Sequence, residues 1–419
     1  MRPFVAALLL LLAGCSGKTD DREVVRFWGM GREGEVVAEL IPEFEKQNPG
    51  IRIDLQQIPW SAAHEKLLTA FAGRVTPDIA QLGSSWVAEL VALKALEPID
   101  GWVGRSQTVN AKDFFPGSWK GNVIGGQTWG VPWYADTRLL FYRKDLLLNA
   151  GFSEVPKDWA GWTAAMHAIK ARAPKDSYAI FLPTNEYDPL IALALQQSEP
   201  LLRNGDRYGN FRSASFKKVT DFYLGLYQQG LAPRASNTEI SNVYDEFARG
   251  RFAFYITGPW NIGEFKSRLP TDLQDDWMTA PLPGPSGPGA STAGGSSLAM
   301  FRRSEHKGAA WKFIEYLSRP EVQLRFFELT GDLPPRRSVW DQPLLADDPY
   351  ALAFRQQLER TVAAPAVPEW ERIATQMQLG IERAVAGQVS GDQLRAQLDQ
   401  RADSILEKRR WKLDREARQ

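Results

Sequence analysis

The sequence has a single cysteine, Cys15, and only three histidines, His64, His167 and His306. One cysteine forms no internal disulfide, and three widely spaced histidines offer no metal-ligand spacing, so neither a disulfide framework nor a metal or cofactor is expected. Neither sign of charge is in excess: Lys plus Arg and Asp plus Glu stand at 50 each. No global field therefore recruits nucleic acid or an anionic membrane. Gly258 and Gly263 have the spacing of phosphate-loop glycines, but no Lys-Ser/Thr follows, which rejects that loop. Ser84 and Ser85 lack a G-x-S-x-G context, and no histidine has a recognisable partner for a serine nucleophile.

Long apolar runs are also scarce. The run from Phe4 to Ala13 follows the short basic start Met1-Arg2 and has the length of a signal peptide, short of a membrane span. It ends Leu12-Ala13-Gly14-Cys15, small residues before the cysteine, as in a lipobox. Residues 1–15 are then a lipoprotein signal peptide ending at a lipidated Cys15, and 16–23 a polar tether. That predicts a membrane-anchored lipoprotein on the periplasmic or extracellular face. The other reading is a cleaved secretory signal with an incidental cysteine.

A chain of 419 residues is long for one core and points to two lobes, and its 44% hydrophobic and 24% charged residues are a soluble globular mixture. Tryptophan is abundant at 15, with several in turn-like contexts. Val24 to Trp28 reads as a strand and Gly34 to Asn48 as an amphipathic helix stopped by Pro49-Gly50. Ile51, Ile53 and Leu55 alternate as in a strand, Ala62 to Gly73 is helical, and Asp78 to Leu82 is a third strand. This βαβαβ order predicts an α/β fold with a parallel sheet. Ligands of such sheets lie beyond the carboxyl ends of strands, which selects Trp28-Gly29-Met30-Gly31 and Ser84-Ser85-Trp86 before a helix from Val87 to Leu96. A tight turn with a capping serine explains the second equally well.

The stretch from Gly130 to Leu147 is where the chain is expected to leave one lobe for the other. Pro132 favours extended backbone, Leu139 to Tyr142 reads as a strand, and Lys144 to Ala150 as a helix closed by Gly151. Asp136, framed by Trp133, Tyr134 and Arg138, has the composition of a site for polyhydroxylated ligands: flat apolar faces beside a charged acceptor. The same residues also suit a partly buried aromatic cluster with a surface Asp–Arg pair. Beyond it, Asp158 caps a helix through Ala171, and the strand Ala179 to Leu182 ends in a polar loop with Asn185, Glu186 and Tyr187. Gly258-Pro259 opens a helix with Trp260 in its first turn, and Gly258 permits close approach of a ligand. Pro281 to Gly289 suits a linker, and Gly294-Gly295 suits a hinge or a ligand contact.

Nearly residue for residue, the 130–147 stretch resembles the first interlobe crossing of the extracellular solute-binding proteins of family 1, the sugar-binding subunits of bacterial ABC importers. Asn48-Pro49-Gly50-Ile51, Thr76-Pro77-Asp78-Ile79 and the segment from Phe247 to Asn261 resemble it too. The resemblance covers about Val24 to Pro343 well and the last helices weakly. It implies a two-lobe periplasmic-binding-protein fold of class II type, with three interlobe crossings and a ligand in the cleft. The lobes are expected at 24–134 with 287–335, and at 135–286 with 336–419. It implies a sugar-stacking aromatic at Trp260, ligand contacts from the 183–188 loop, and an arginine reaching the cleft at Arg336. Trp28, Ser85, Trp86 and Gly295 are expected to oppose Asp136, Asn185, Glu186 and Trp260. The implied protein is a monomer that binds a mono- or oligosaccharide and delivers it to permease subunits. Two alternatives stay open: a non-sugar solute such as a polyol or glycerol phosphate diester, and an exported glycoside hydrolase using Asp136 and Glu186 as its two carboxylates.

Overall fold

Val25 and Phe27 of the first strand point into one apolar cluster while Trp28 and Met30 enter another, so this strand is covered on both faces. The computed structural model describes residues 21–240, 242–416 and 418. The expected signal peptide with Cys15, and the tether through residue 20, lie outside the described residues.

The strands of the two main sheets are β1 (Glu23–Met30), β2 (Ile51–Ile58), β3 (Ile79–Gly83), β4 (Val131–Asp136), β5 (Leu139–Arg143), β6 (Ile180–Phe181), β7 (Phe254–Thr257), β8 (Trp277–Ala280) and β9 (Gly294–Met300). The first sheet has the order β2-β1-β3-β9-β4, with β1 parallel to β2 and β3 and with β9 antiparallel to both its neighbours. The second has the order β8-β5-β7-β6. The fold is that of a two-lobe binding protein of class II type. Burial of both sheet faces explains the near-continuous apolar text of β3, β5 and β7.

The chain passes between the sheets at residues 137–138, returns through 281–293, and passes again through 331–337. Ala135 donates to the Leu333 carbonyl at 2.7 Å, which ties the first passage to the third. At the second, Ser291–Thr292 pairs in parallel with Thr361–Val362. The carboxyl-terminal helices Trp370–Val385 and Gly391–Ile405 close one side of the second lobe with Trp370, Ile373, Met377, Leu394 and Leu398.

Local expectations and structure part in several places, among them the helix expected from Val87 to Leu96, which ends at Ala92. The helix expected from Gly34 to Asn48 is broken into Gly31–Val36, a 3-10 turn Val37–Glu39 and Ile41–Gln47. Pro42 has no N–H for the carbonyl four residues back, and it sits in the first turn of the new helix instead. The first strand also runs two residues past Trp28, to Met30. Asp158 caps Trp159–Arg172 as expected, accepting from the Gly161 N–H at 2.9 Å.

Candidate functional site

The carboxyl ends of β2 and β3 each lead into a helix that opens on a tryptophan. Trp60 begins Trp60–Ala72 behind Pro59, and Trp86 is the residue before Val87–Ala92. Their rings meet edge to face, centroids 5.4 Å apart at 60°, and His64 lies 5.1 Å from Trp86 while its Nε2 meets Glu89 Oε2 at 2.7 Å. These rings form one wall of a cavity of about 820 Å³ between the lobes. Tyr187, Asp188 and Ile191 line the opposite wall with the segment Ala363–Ala366, Trp370 and Glu371, and Asp136, Arg138 and Gly294-Gly295 form the floor. The volume is in the range of small-molecule sites.

The floor is built by register. Gly295 pairs with Ala135, and the β9–β4 ladder shifts between Ser296 and Ser297. Gly295 has φ +103°, and a Cβ there would stand 2.2 Å from the Tyr134 carbonyl oxygen, so only glycine closes this bulge. Its own carbonyl accepts from Ser84 Oγ at 2.9 Å and from the Ser84 N–H at 3.2 Å. Ser84 thus ties the end of β3 to the start of β9 and leaves Ser85 as the freer hydroxyl at the cavity.

Arg138 is the charged centre. Its Nη1 donates to both Asp136 carboxylate oxygens, at 3.0 and 2.9 Å, and its Nη2 lies 3.2 Å from Asp188 Oδ1. Burial alone would lower the guanidinium's affinity for its proton, but Asp136 and Asp188 more than offset that and hold it raised. Burial raises the Asp136 carboxyl above its ordinary value, with Arg138 opposing. Burial likewise raises Glu186, with its hydrogen bond from Asn237 opposing. The Tyr187 hydroxyl donates to Glu371 Oε2 at 3.2 Å, and burial together with Glu371 raises it. Aromatic faces beside hydroxyls, carboxylates and a guanidinium can cover the C–H faces of a pyranose and pair its hydroxyls.

Of the residues singled out in the sequence, the structure brings Ser84, Ser85, Trp86, Asp136, Tyr187, Gly294 and Gly295 to the cavity. Trp260 stands at its margin, 46% exposed, with its ring folded over Gly258 and the Arg138 guanidinium 4.6 Å from the ring centre. Asn185 and Glu186 both engage Asn237, through bonds of 2.7 and 2.8 Å, and do not line the cavity.

Besides Asn185 and Glu186, Gly258 departs from expectation, since the Trp260 ring covers it where a ligand was expected to approach, and four further positions differ as well. Trp28 is buried in the first-lobe core because β1 continues beyond it, and Lys66 stands over its ring, at 4.9 Å. Trp133 is buried as well, stacked on Phe326 at 4.6 Å in the first-lobe core, at the residue that the register shift between β4 and β9 skips. Arg336 donates to Asp113 Oδ2 at 2.7 Å and to the Ser318 carbonyl at 2.6 Å, which binds it to the first lobe outside the cavity. Asp136 was expected on the far wall, but the ladder to β9 continues through it and keeps it in the first sheet. As one of a pair of hydrolytic carboxylates it is poorly placed, since both its oxygens already accept from Arg138.

The sequence reading missed Trp60, Trp370 and Glu371, and it took in Asp188 only as the last residue of the 183–188 loop. Trp60 and Trp370 share a cue with Trp260, a tryptophan opening a helix. The cue is not sufficient, because Trp159 also opens a helix and is buried against Phe222.

The family model described as bacterial extracellular solute-binding protein matches residues 30–324. The chain belongs to that family. It is 55% identical to the sugar-binding protein MalE of Xanthomonas citri, with a TM-score of 0.92 over 93% of this chain and 99% of that one. Among curated proteins, it is 25% identical to a maltotriose-binding protein of Pyrococcus abyssi over 352 residues, 80% of this chain and 71% of the relative. It is 22% identical to the diacetylchitobiose binding protein DasA of Streptomyces coelicolor over 391 residues, 88% of each chain.

Proposed function

We propose that this chain is the substrate-binding component of an ABC-type sugar importer, which holds a mono- or oligosaccharide between its lobes and delivers it to the membrane permease. The observation that carries this reading is the cavity itself, with indole rings from both lobes around a floor of Asp136, Arg138 and backbone. Family membership and the sugar-binding relatives support it. A ligand touching both walls stabilises the closed arrangement over the open one, and the permease can then distinguish loaded from empty protein. The same reading takes Cys15 as the lipidated residue of a membrane-anchored monomer on the periplasmic or extracellular face.

Titrating intrinsic tryptophan fluorescence with mono- and oligosaccharides, a polyol and a glycerol phosphate diester tests it, because Trp60, Trp86 and Trp370 all border the cavity. Saturable change with at least one sugar is expected. A response confined to the non-sugar ligands would replace the sugar reading, and release of reducing ends from an oligosaccharide would point to a hydrolase.

A further inference from the structure

The last described helix, Glu407–Glu416, is attached to the body by one face. Leu406, just before it, is fully buried. Arg409 Nε donates to the Asp206 carbonyl at 3.1 Å, Arg410 Nη1 to the Arg207 carbonyl at 3.0 Å, and Asp414 pairs with Arg207. The Arg410 guanidinium also lies 4.7 Å from the Tyr208 ring centre. With 3.6 residues per turn, these contacts leave Lys408, Trp411, Lys412 and Arg415 together on the opposite face, at i, i+3, i+4 and i+7. Trp411 is 63% exposed, and the Arg415 guanidinium lies 5.5 Å from its ring. Of the acids in this helix, Glu407 stands at the edge of the face, Asp414 is turned toward Arg207, and Glu416 follows Lys412 by four residues.

We propose that this face, Trp411 framed by Lys408, Lys412 and Arg415, docks on an anionic lipid surface. An indole has an apolar body and one N–H, which places it at headgroup depth, and the long cationic side chains reach the phosphates around it. The chain as a whole carries no net charge, so the attraction is confined to this patch and acts only within a Debye length. The contact requires neither a bound sugar nor the lipid on Cys15.

The test is co-sedimentation of the chain starting at Ser16, which contains every described element, with two sets of vesicles. One is phosphatidylcholine and phosphatidylglycerol in equal parts, the other phosphatidylcholine alone. Binding to the mixed vesicles only, lost at high salt, is expected. The triple variant K408E/K412E/R415E is expected to bind them at least about tenfold more weakly, since each cation near an anionic surface contributes appreciably. Trp411→Ala should weaken binding several-fold, and both variants should melt and bind sugar as the parent does. Equal binding to neutral vesicles, or parent-like binding by Trp411→Ala and by the triple variant, would overturn the proposal. So would failure to bind mixed vesicles while the same face captures the purified permease in a neutral bilayer.

Discussion

Arg138 lies with its guanidinium 4.6 Å from the centre of the Trp260 indole, joining the floor of the cleft to a strongly exposed ring at its margin. The contact holds the ring at the margin of the cleft, and a cation–π pair of this kind contributes about 0.5–2 kcal/mol. Trp260→Ala is therefore expected to weaken sugar binding about tenfold, ~1.4 kcal/mol, and Trp260→Phe much less. Calorimetric titration measures both, and parent affinity in the alanine variant would remove Trp260 from the site.

Asp136 accepts from Arg138 on both carboxylate oxygens, and Asp188 shares the same guanidinium. Asp136→Asn removes a charge-assisted pair of the kind that contributes about 1.5–3 kcal/mol, and it leaves Arg138 with Asp188 alone. The expected result is a loss of affinity of about tenfold or more with little change in melting temperature. A large fall in melting temperature with unchanged affinity would make the pair purely structural.

Gly117, in the first-lobe helix Pro116–Lys120, marks where that lobe meets the strap between the lobes. A Cβ there would stand 2.3 Å from Thr361 Oγ1, 2.9 Å from the Thr361 carbonyl oxygen and 3.0 Å from Ala293 Cβ. Gly117→Ala should cost about 1–3 kcal/mol of stability by overpacking, and Thr361→Ala in the same chain should recover part of it. Thermal melts of the two single variants and the double variant check this, and an unchanged melt for Gly117→Ala would show that the strap yields freely.

Asp332, half-buried on the third passage, has its carboxyl held well above the ordinary 3.8, by burial first and then by Glu33 and Asp136. A carboxyl that keeps its proton more tightly when folded makes stability fall as pH rises from the ordinary value through the raised one. Asp332→Asn carries no such charge, so it should melt higher than the parent at neutral pH, and the gap should close as pH falls toward 3.8. Melting curves from acid to neutral pH decide it, and a gap that widened on acidification would contradict the assignment.

Strands and helices were legible in the sequence, because they rest on local periodicity and on breakers such as Pro49-Gly50, while the two-lobe fold and its three crossings came from the resemblance to the solute-binding family. The parallel order of β1, β2 and β3 follows from βαβ connection rules, and Asp158 acts as the helix cap its position announces. Tryptophans were a less certain guide. Trp86 and Trp159 sit in similar sequence contexts, yet Trp86 borders the cleft and Trp159 stacks at 4.3 Å on Phe222 in a core. What surrounds a helix start is not written at the helix start.

Only tertiary structure decided which side chains share the cleft. Ser84 and Gly295 are 211 residues apart in sequence and bonded in space, because β9 returns from the second lobe and inserts antiparallel between β3 and β4. That insertion keeps Asp136 in the first sheet, leaves Trp133 in the core and sets Arg138 at the floor. Sheet register is a property of strands brought together from distant parts of the chain, so local residue patterns determined the elements while strand pairing determined the site.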